Sequence, residues 1–315
     1  MQYFFAPLEG LTDSIYRRLH HKFFGGVDRY YTPFLSPTVH RALTAREMRE
    51  LPKADSIGFS VVPQVLTKNA EDFLWLAGVC RDLGYTEINL NLGCPSGTVT
   101  AKGKGSGMLR DLDALDCFLD GIFSHSPLPI SIKTRIGYEK PEEFTDILDI
   151  YNRYPITELT VHPRVRTVFY NGNVDMECFA YAMQASKAPL CYNGSLCTEE
   201  DITNISAQFP HLQAVMLGRG LIADPGLFTP GGTTADTLAE FHDALLEEYI
   251  RTFGGERNAM FRMKENWRYW LCKFEDSGKL GKHLRKTTDV REYRQIAHQI
   301  FHTLPMAKNT TPDWD

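Results

Sequence analysis

Short apolar runs recur along the first two thirds of the chain, each followed by a Gly-, Pro- or Asn-containing turn and then by a stretch of helical period. The runs at residues 3–6, 29–32, 59–64, 87–91, 130–133, 159–162, 190–193 and 214–217 predict strands. Between them lie segments such as "AEDFLWLAGVCRDLG", in which Phe73, Leu74, Leu76, Ala77 and Cys80 make one apolar stripe. Eight strands alternating with helices form the pattern of a (β/α)8 TIM barrel, with an open doubly wound sheet as the competing arrangement. The placement of polar residues favours the barrel. Gln64, Asn91, Lys133, His162, Asn193 and the pair Gly218–Arg219 each stand at or just after the end of a predicted strand. In a barrel those ends converge on one mouth, where the chemistry of this fold is done.

After "GGTTADT" (231–237) the pattern turns to helices alone. In "RMKENWRYWLCKF" the residues Met263, Trp267, Trp270 and Phe274 fall on one apolar helix face. The expected organisation is a catalytic barrel over 1–234 and a small all-helical C-terminal domain over 235–315.

Composition narrows the picture without changing it. With 43% apolar and 23% charged residues in 315, the chain reads as an ordinary globular protein. It has no apolar run of membrane-spanning length and no signal-peptide pattern at its start, so the expected location is cytoplasmic. Seven cysteines without CxxC spacing or a His cluster argue against a zinc site or a disulfide framework, and no metal is expected. The net charge is −5, yet eleven Lys/Arg face only six Asp/Glu between residues 256 and 294. A basic C-terminal region on an acidic body is a local electrostatic footprint for an anionic partner, although a solvated helix face has the same composition.

The chemistry gathers at the strand ends. Gly194 and Gly218, in the turns after the last two strands, would let backbone N–H groups approach a phosphate, with Arg219 able to pair with it. Lys133 needs an anionic partner if it points into the mouth. Gln64 and Asn91 suit hydrogen bonding to a ring edge, whereas His162 alone is as well explained as a core histidine. In "NLGCPSGTVTAKGKGSGMLR" (91–110), Cys94 sits at a bend with a glycine- and lysine-rich segment behind it. Those glycines follow no strand directly and are not GxGxxG, so a dinucleotide fingerprint is rejected. They read instead as a loop able to move over a substrate.

Taken together, "FAPLEGLTD" (5–13), "VPQV" (62–65), "NLGCPSGTV" (91–99), "SIKTRIG" (131–137), "VHPRVRTVFYNGNVD" (161–175), "NGS" (193–195), "GRGLIADP" (218–225) and "RMKENWRYW" (262–270) resemble the tRNA-dihydrouridine synthases of bacterial type. These are flavoenzymes that reduce particular tRNA uridines with FMN and NADPH. The resemblance implies FMN contacts from Pro7, Leu8, Glu9, Gln64, Lys133, His162, Asn193, Gly194, Ser195, Gly218 and Arg219. It implies Cys94 as the proton donor, Asn91 beside the target uracil, and Arg262, Lys264 and Tyr269 as positions facing tRNA. Many members read HGRTRxQxYxG after the histidine, whereas this chain has Pro163, Val165 and Val168 in place of Gly, Thr and Gln.

The expected activity is reduction of tRNA uridine to 5,6-dihydrouridine, with the flavin re-reduced by NADPH or NADH and no protein partner implied. The alternative is an FMN-dependent oxidoreductase of a free pyrimidine such as dihydroorotate, which has no need of the basic helical region. A non-catalytic RNA-binding module is a third reading, and the retained Lys133, Cys94 and GRG turn speak against it.

Overall fold

Nine parallel strands alternate with helices in the computed structural model, which describes residues 1–38 and 40–307. The strands are β1 (Gln2–Phe5), β2 (Arg29–Tyr31), β3 (Val61–Val62), β4 (Gln64–Val65), β5 (Ile88–Leu92), β6 (Ile130–Arg135), β7 (Leu159–His162), β8 (Leu190–Tyr192) and β9 (Ala214–Leu217). Their order in the sheet is β3-β2-β1-β9-β8-β7-β6-β5-β4. The two end strands are consecutive in the chain, so the sheet closes on itself through a single residue, Pro63. This is the (β/α)8 barrel that the alternation predicts.

The third expected strand, 59–64, is the one that differs. Proline has no N–H for a ladder and breaks a strand where both neighbours need pairing. Val61–Val62 therefore pairs with β2, and Gln64–Val65 pairs with β5. The Pro63 carbonyl still accepts from Asn89 N at 2.8 Å. β6 runs two residues beyond the expected 130–133 and carries Arg135 within the strand, while the remaining strand bounds agree with expectation to within one residue.

The helices are α1 (Ser14–Phe23), α2 (Ala45–Glu50), α3 (Ala70–Asp82), α4 (Gly97–Thr100), α5 (Leu112–Phe123), α6 (Glu143–Tyr151), α7 (Met176–Ala185), α8 (Glu199–Gln208), α9 (Arg219–Ala223), α10 (Ala235–Phe253), α11 (Glu256–Trp270), α12 (Gly278–Lys286) and α13 (Val290–Thr303). Several start on a side-chain cap. Asn69, Asp111 and Asp175 each accept from the backbone N–H three residues on, an interaction worth about 1 kcal/mol per helix. In α3 four residues of the predicted stripe, Phe73, Leu76, Ala77 and Cys80, form the buried face, while Leu74 is half-buried at its edge.

The chain divides into two compact units. The first comprises Met1–Pro7, Asp28–Ser195 and Phe209–Met216 and contains the barrel strands except for the last residue of β9. Because side chains alternate along a strand, one set faces the barrel interior. Phe4, Ala6, Tyr31, Val62, Cys191, Ala214 and Met216 form an apolar cluster there. The inward positions of β4 to β7 are polar instead: Gln64, Asn89, Asn91, Ser131, Lys133, Thr160 and His162.

The second unit comprises Leu8–Val27, Leu196–Gln208 and the chain from Leu217 onward. The helices expected in a 235–315 domain belong to it, with 308–315 lying outside the described residues. Its core contains the predicted face of α11, with Met263, Trp267 and Trp270 fully buried; Phe274, expected on the same face, is buried as well but lies beyond the helix, which ends at Trp270. Trp267 Nε1 donates to the Tyr293 hydroxyl at 3.0 Å, and that hydroxyl also meets His242 Nε2 at 2.7 Å. The polar tips of Trp267, Tyr293 and His242 are thereby satisfied within the core, whereas Trp270 Nε1 is buried without a hydrogen-bond partner among the described residues.

Candidate active site

The first unit brings together the residues that end its strands. Asn91 is the last inward residue of β5. Its Oδ1 accepts from Gly93 N at 3.1 Å and from Cys94 N at 2.9 Å, and its Nδ2 donates to Gln64 Oε1 at 2.7 Å. One amide thus ties the floor of the mouth to the backbone of the cysteine bend. Cys94 itself is half-buried and is not part of a disulfide.

The segment behind Cys94 is packed rather than loose. Gly105 to Leu109 are buried. Ser106 donates to the Cys94 carbonyl from both its backbone N, at 3.2 Å, and its Oγ, at 2.8 Å. A Cβ on Gly105, whose φ is +57°, would stand 3.0 Å from the Cβ and carbonyl oxygen of Cys94. The glycine is there for close approach, which composition alone cannot distinguish from mobility.

Lys133 pairs in register with Asn91 and faces the same space. Among the described residues its ammonium meets no hydrogen-bond acceptor and no carboxylate. Burial, and then the charge of Arg135, lower it from its ordinary value to about 8. An uncompensated, partly desolvated cation at the inner end of a mouth is poised for an anionic or electron-rich ligand.

Arg135, two residues on, is buried and was not singled out in the sequence. Its Nε donates to Gly93 O and its Nη1 to Val165 O, each at 3.0 Å. It therefore braces the Cys94 bend against the loop after β7. Burial lowers even this guanidinium to about 10. Its ring neighbour Tyr170, 5.3 Å from the guanidinium carbon, also stacks on His162 with centroids 6.1 Å apart. The alternation of β6 was the available signal for Arg135: if Lys133 faces inward, residue 135 does too.

His162 is buried, and its Nε2 lies 3.0 Å from Arg164 Nη1. Arginine can only donate, so Nε2 is the acceptor and the proton belongs on Nδ1. Arg164 also reaches Gly172 O at 2.7 Å and Ser195 Oγ at 2.9 Å, joining the loops after β7 and β8. Asn193 is fixed by donating to Met216 O at 2.7 Å. A Cβ on Gly194 would stand 2.8 Å from Val174 Cγ1, and Ser195 has a φ of +51°. Arg166 donates to Pro95 O at 3.2 Å and to Thr100 Oγ1 at 3.3 Å, holding the bend from a third side. Thus Pro7, Gln64, Asn91, Cys94, Lys133, His162, Asn193, Gly194 and Ser195 all lie in the first unit.

The second unit holds Leu8, Glu9, Gly218, Arg219, Arg262, Lys264 and Tyr269. Leu8 N donates to Thr12 Oγ1 at 2.8 Å, while Glu9 is exposed. Gly218 precedes α9, its carbonyl accepting from Leu221 N and Ile222 N. Arg219 is half-buried, as is Tyr269. Arg262 makes an ion pair with Asp13 at 2.8 Å, placing it beside the 8–13 segment. Lys264 is buried, its ammonium donating to Thr287 O at the end of α12. Four exposed cations cluster on α12, Lys279, Lys282, Arg285 and Lys286, and others, Arg251, Arg257, Arg268 and Arg291, stand on α10, α11 and α13. Among the described residues no His/Cys/Asp/Glu cluster could hold a metal ion, and no helix is long and apolar enough to cross a membrane.

The chain resembles known proteins along its length. It is 27% identical over 326 residues to a probable tRNA-dihydrouridine synthase 1 of Synechocystis, covering 95% of this chain and 86% of the relative. It is 28% identical over 263 residues to a tRNA-dihydrouridine(16) synthase of Pseudomonas syringae pv. tomato, covering 80% and 82%. In structure it resembles morphinone reductase, with a TM-score of 0.50 at 11% identity over 72% of this chain and 84% of that one; this likeness bears on the barrel fold alone. A match to the dihydrouridine synthase family spans residues 4–309, taking in the barrel and the helices after it, and the chain belongs to that family.

Proposed function

We propose that the mouth of the first unit holds FMN and that Cys94 protonates a uridine of tRNA as the ring is reduced to 5,6-dihydrouridine. The chain is a flavin-dependent oxidoreductase of the dihydrouridine synthase family; the site assignments, the FMN form and the NADPH preference are the finer reading. The observation that carries it is Lys133: a desolvated ammonium without a partner, lowered to about 8, in register with Asn91. The polar set fits a flavin. Lys133 offers charge to the electron-rich edge of the ring, Gln64 offers an amide, and His162 offers an Nδ1–H. Asn193, Gly194 and Ser195 supply a narrow turn for the phosphate end. Pro7 belongs to the same unit and set, while Leu8, Glu9, Gly218 and Arg219, in the second unit, are assigned to FMN on the sequence alone.

Bound there, the flavin supplies the hydride that adds to C6 of the uracil. The protein must then deliver a proton to C5. Cys94 does this from its thiol, so it acts in the protonated state and has no use for the depressed pKa of a nucleophilic cysteine. Asn91 fixes the bend by holding the N–H groups of Gly93 and Cys94, and Arg135 and Arg166 brace it from the β6 and β7 sides. The base must leave the tRNA stack to reach such a mouth.

In the second unit the proposed RNA surface is the helical region 235–315. The exposed cations of α12 meet phosphates there, and Arg262, Lys264 and Tyr269 contribute through the elements they hold. Lys264, tied to Thr287 O, sets the turn that follows α12.

The test is incubation of the flavin-loaded protein with an unmodified tRNA transcript and NADPH, followed by nucleoside mass spectrometry. Dihydrouridine should appear with wild type and be strongly reduced with Cys94→Ala. No dihydrouridine with wild type on any tRNA would refute the proposal.

A further inference from the structure

Inside the barrel, five side chains form an unbroken hydrogen-bonded series from the N-terminal to the C-terminal ends of the strands. Ser131 Oγ donates to Glu87 Oε1 at 2.6 Å. Asn89 Nδ2 donates to Ser131 Oγ at 2.9 Å, Gln64 Nε2 to Asn89 Oδ1 at 2.8 Å, and Asn91 Nδ2 to Gln64 Oε1 at 2.7 Å. Gln64, Asn89 and Ser131 are fully buried. Glu87 is anchored by Arg29 Nη1 at 3.2 Å. Glu87 and Asn91 are four residue steps apart in extended chain, a span of about 13 Å.

The series has only one consistent polarity. An ionised carboxylate accepts and cannot donate, so it claims the single proton of the Ser131 hydroxyl. Ser131 can then only accept from Asn89, which turns the Asn89 carbonyl toward Gln64. The same argument turns Gln64 Oε1 toward Asn91 and leaves Asn91 Oδ1 facing the bend. There it meets the N–H groups of Gly93 and Cys94, which require an acceptor. Reversing any one amide would set donor against donor on one side and acceptor against acceptor on the other.

We propose that Glu87, Ser131 and Asn89 are positioning residues: from the far end of the barrel they fix which way the amides of Gln64 and Asn91 point, and through Asn91 they hold the bend carrying Cys94. Their relevance to turnover rests on the proposed role of Cys94, but the orientation itself is tested without it. Glu87→Gln keeps the shape and adds a donor, so the Ser131 proton is no longer committed and the series can invert. Ser131→Ala cuts the series.

The experiment measures alkylation of Cys94 by iodoacetamide in the full-length protein, quantified by peptide mass spectrometry against the exposed Cys117 as internal reference. Thermal unfolding of each variant confirms that it is folded. Losing one buried hydrogen bond at the bend should raise the Cys94 to Cys117 ratio by about fivefold in each single variant. In the Ser131→Ala background, Glu87→Gln should have no further effect, because the route between Glu87 and Asn91 is already cut. A ratio unchanged by Glu87→Gln, or effects of the two substitutions that simply multiply, would overturn the proposal. If Ser131→Ala does not fold, the ratio in Glu87→Gln decides alone. None of these readings depends on tRNA reduction, so failure of the relay and failure of the proposed function remain distinguishable.

Discussion

The two sides of the barrel interior are built from the same alternation of strand residues and end in opposite chemistry. Around β1, β2, β3, β8 and β9 the inward set is an apolar cluster headed by Phe4 and Tyr31, whose rings lie 6.1 Å apart. Across β4 to β7 it is amides, hydroxyls and charges, with Ser131, Asn89, Gln64 and Asn91 each tied to the next and Lys133 left without a hydrogen-bond acceptor among the described residues. The apolar side gains stability from area removed from water, while the polar side gains little net stability and is expensive to disturb. Its return is orientation. The groups at its upper end are held before any ligand arrives, which is how a site stabilises developing charge without reorganising. The contrast extends to ionisation. On the polar side burial lowers Lys133 to about 8 and raises Glu158 to about 7, so both are kept closer to neutrality than water would leave them.

The largest effect that breaks the comparison falls on the apolar side. Phe4→Ala should lower stability by about 3–5 kcal/mol, the usual result of emptying a buried aromatic site, read from urea denaturation midpoints. A loss below about 1 kcal/mol would mean that this cluster does not carry the barrel. Next comes the chemical output of the polar side. Cys94→Ala should keep bound flavin, visible in the absorbance spectrum, yet slow uridine reduction by about 10²-fold or more. Unchanged turnover would remove the thiol from the reaction.

The third prediction is a pH dependence. Lys133 holds its proton less tightly in the folded protein than in the unfolded chain, about 8 against 10.5. The unfolded state therefore binds more protons between those values, and stability of the ligand-free protein should rise as pH rises through that window. If Lys133 meets FMN as proposed, affinity for it should run the other way, since an anion binds the charged lysine better. It should fall by up to about tenfold per pH unit above 8, followed by quenching of flavin fluorescence. Lys133→Met should bind weakly and show no such fall; matching profiles for the two proteins would dissociate Lys133 from the cofactor. The smallest effect belongs to Glu158. Its carboxyl keeps its proton to about 7 against an ordinary 4.5, so wild type should lose stability as pH rises from 4.5 to 7. Glu158→Gln should escape that loss and be more stable at pH 8 by about 1 kcal/mol. Equal midpoints for the two proteins at pH 8 would argue against a buried, strained carboxylate.

Much of this arrangement was legible in the chain because its signals are local. A short apolar run closed by a polar residue marks a strand end, as at His162 and, to within one residue, at Asn91, whereas Gln64 opens β4 and Lys133 lies two residues inside β6. The helix face of Met263, Trp267 and Trp270 is equally direct. What stayed hidden depends on partners distant in sequence. Pro63 reads as a poor strand residue, but nothing nearby says that the barrel closes across it. Arg135 looks like the start of a turn until β6 is seen to extend. The glycines at 105 and 107 resemble a flexible loop, and only the packing of Cys94 and Thr100 against them shows why they lack side chains. Lys264 reads as a cation on a solvated flank, yet its carbonyl partner, Thr287, lies 23 residues away. The polar series from Glu87 to Asn91 joins three segments, so no single stretch contains it.

The central claim is that this polar mouth reduces a uridine presented by tRNA. Its most direct test is anaerobic reoxidation of the reduced flavin, followed by absorbance, on mixing with tRNA lacking dihydrouridine and, separately, with orotate or free uridine. The account predicts fast reoxidation by the tRNA and none of comparable rate by the small pyrimidines. Fast reoxidation by a free pyrimidine with tRNA inert would contradict it.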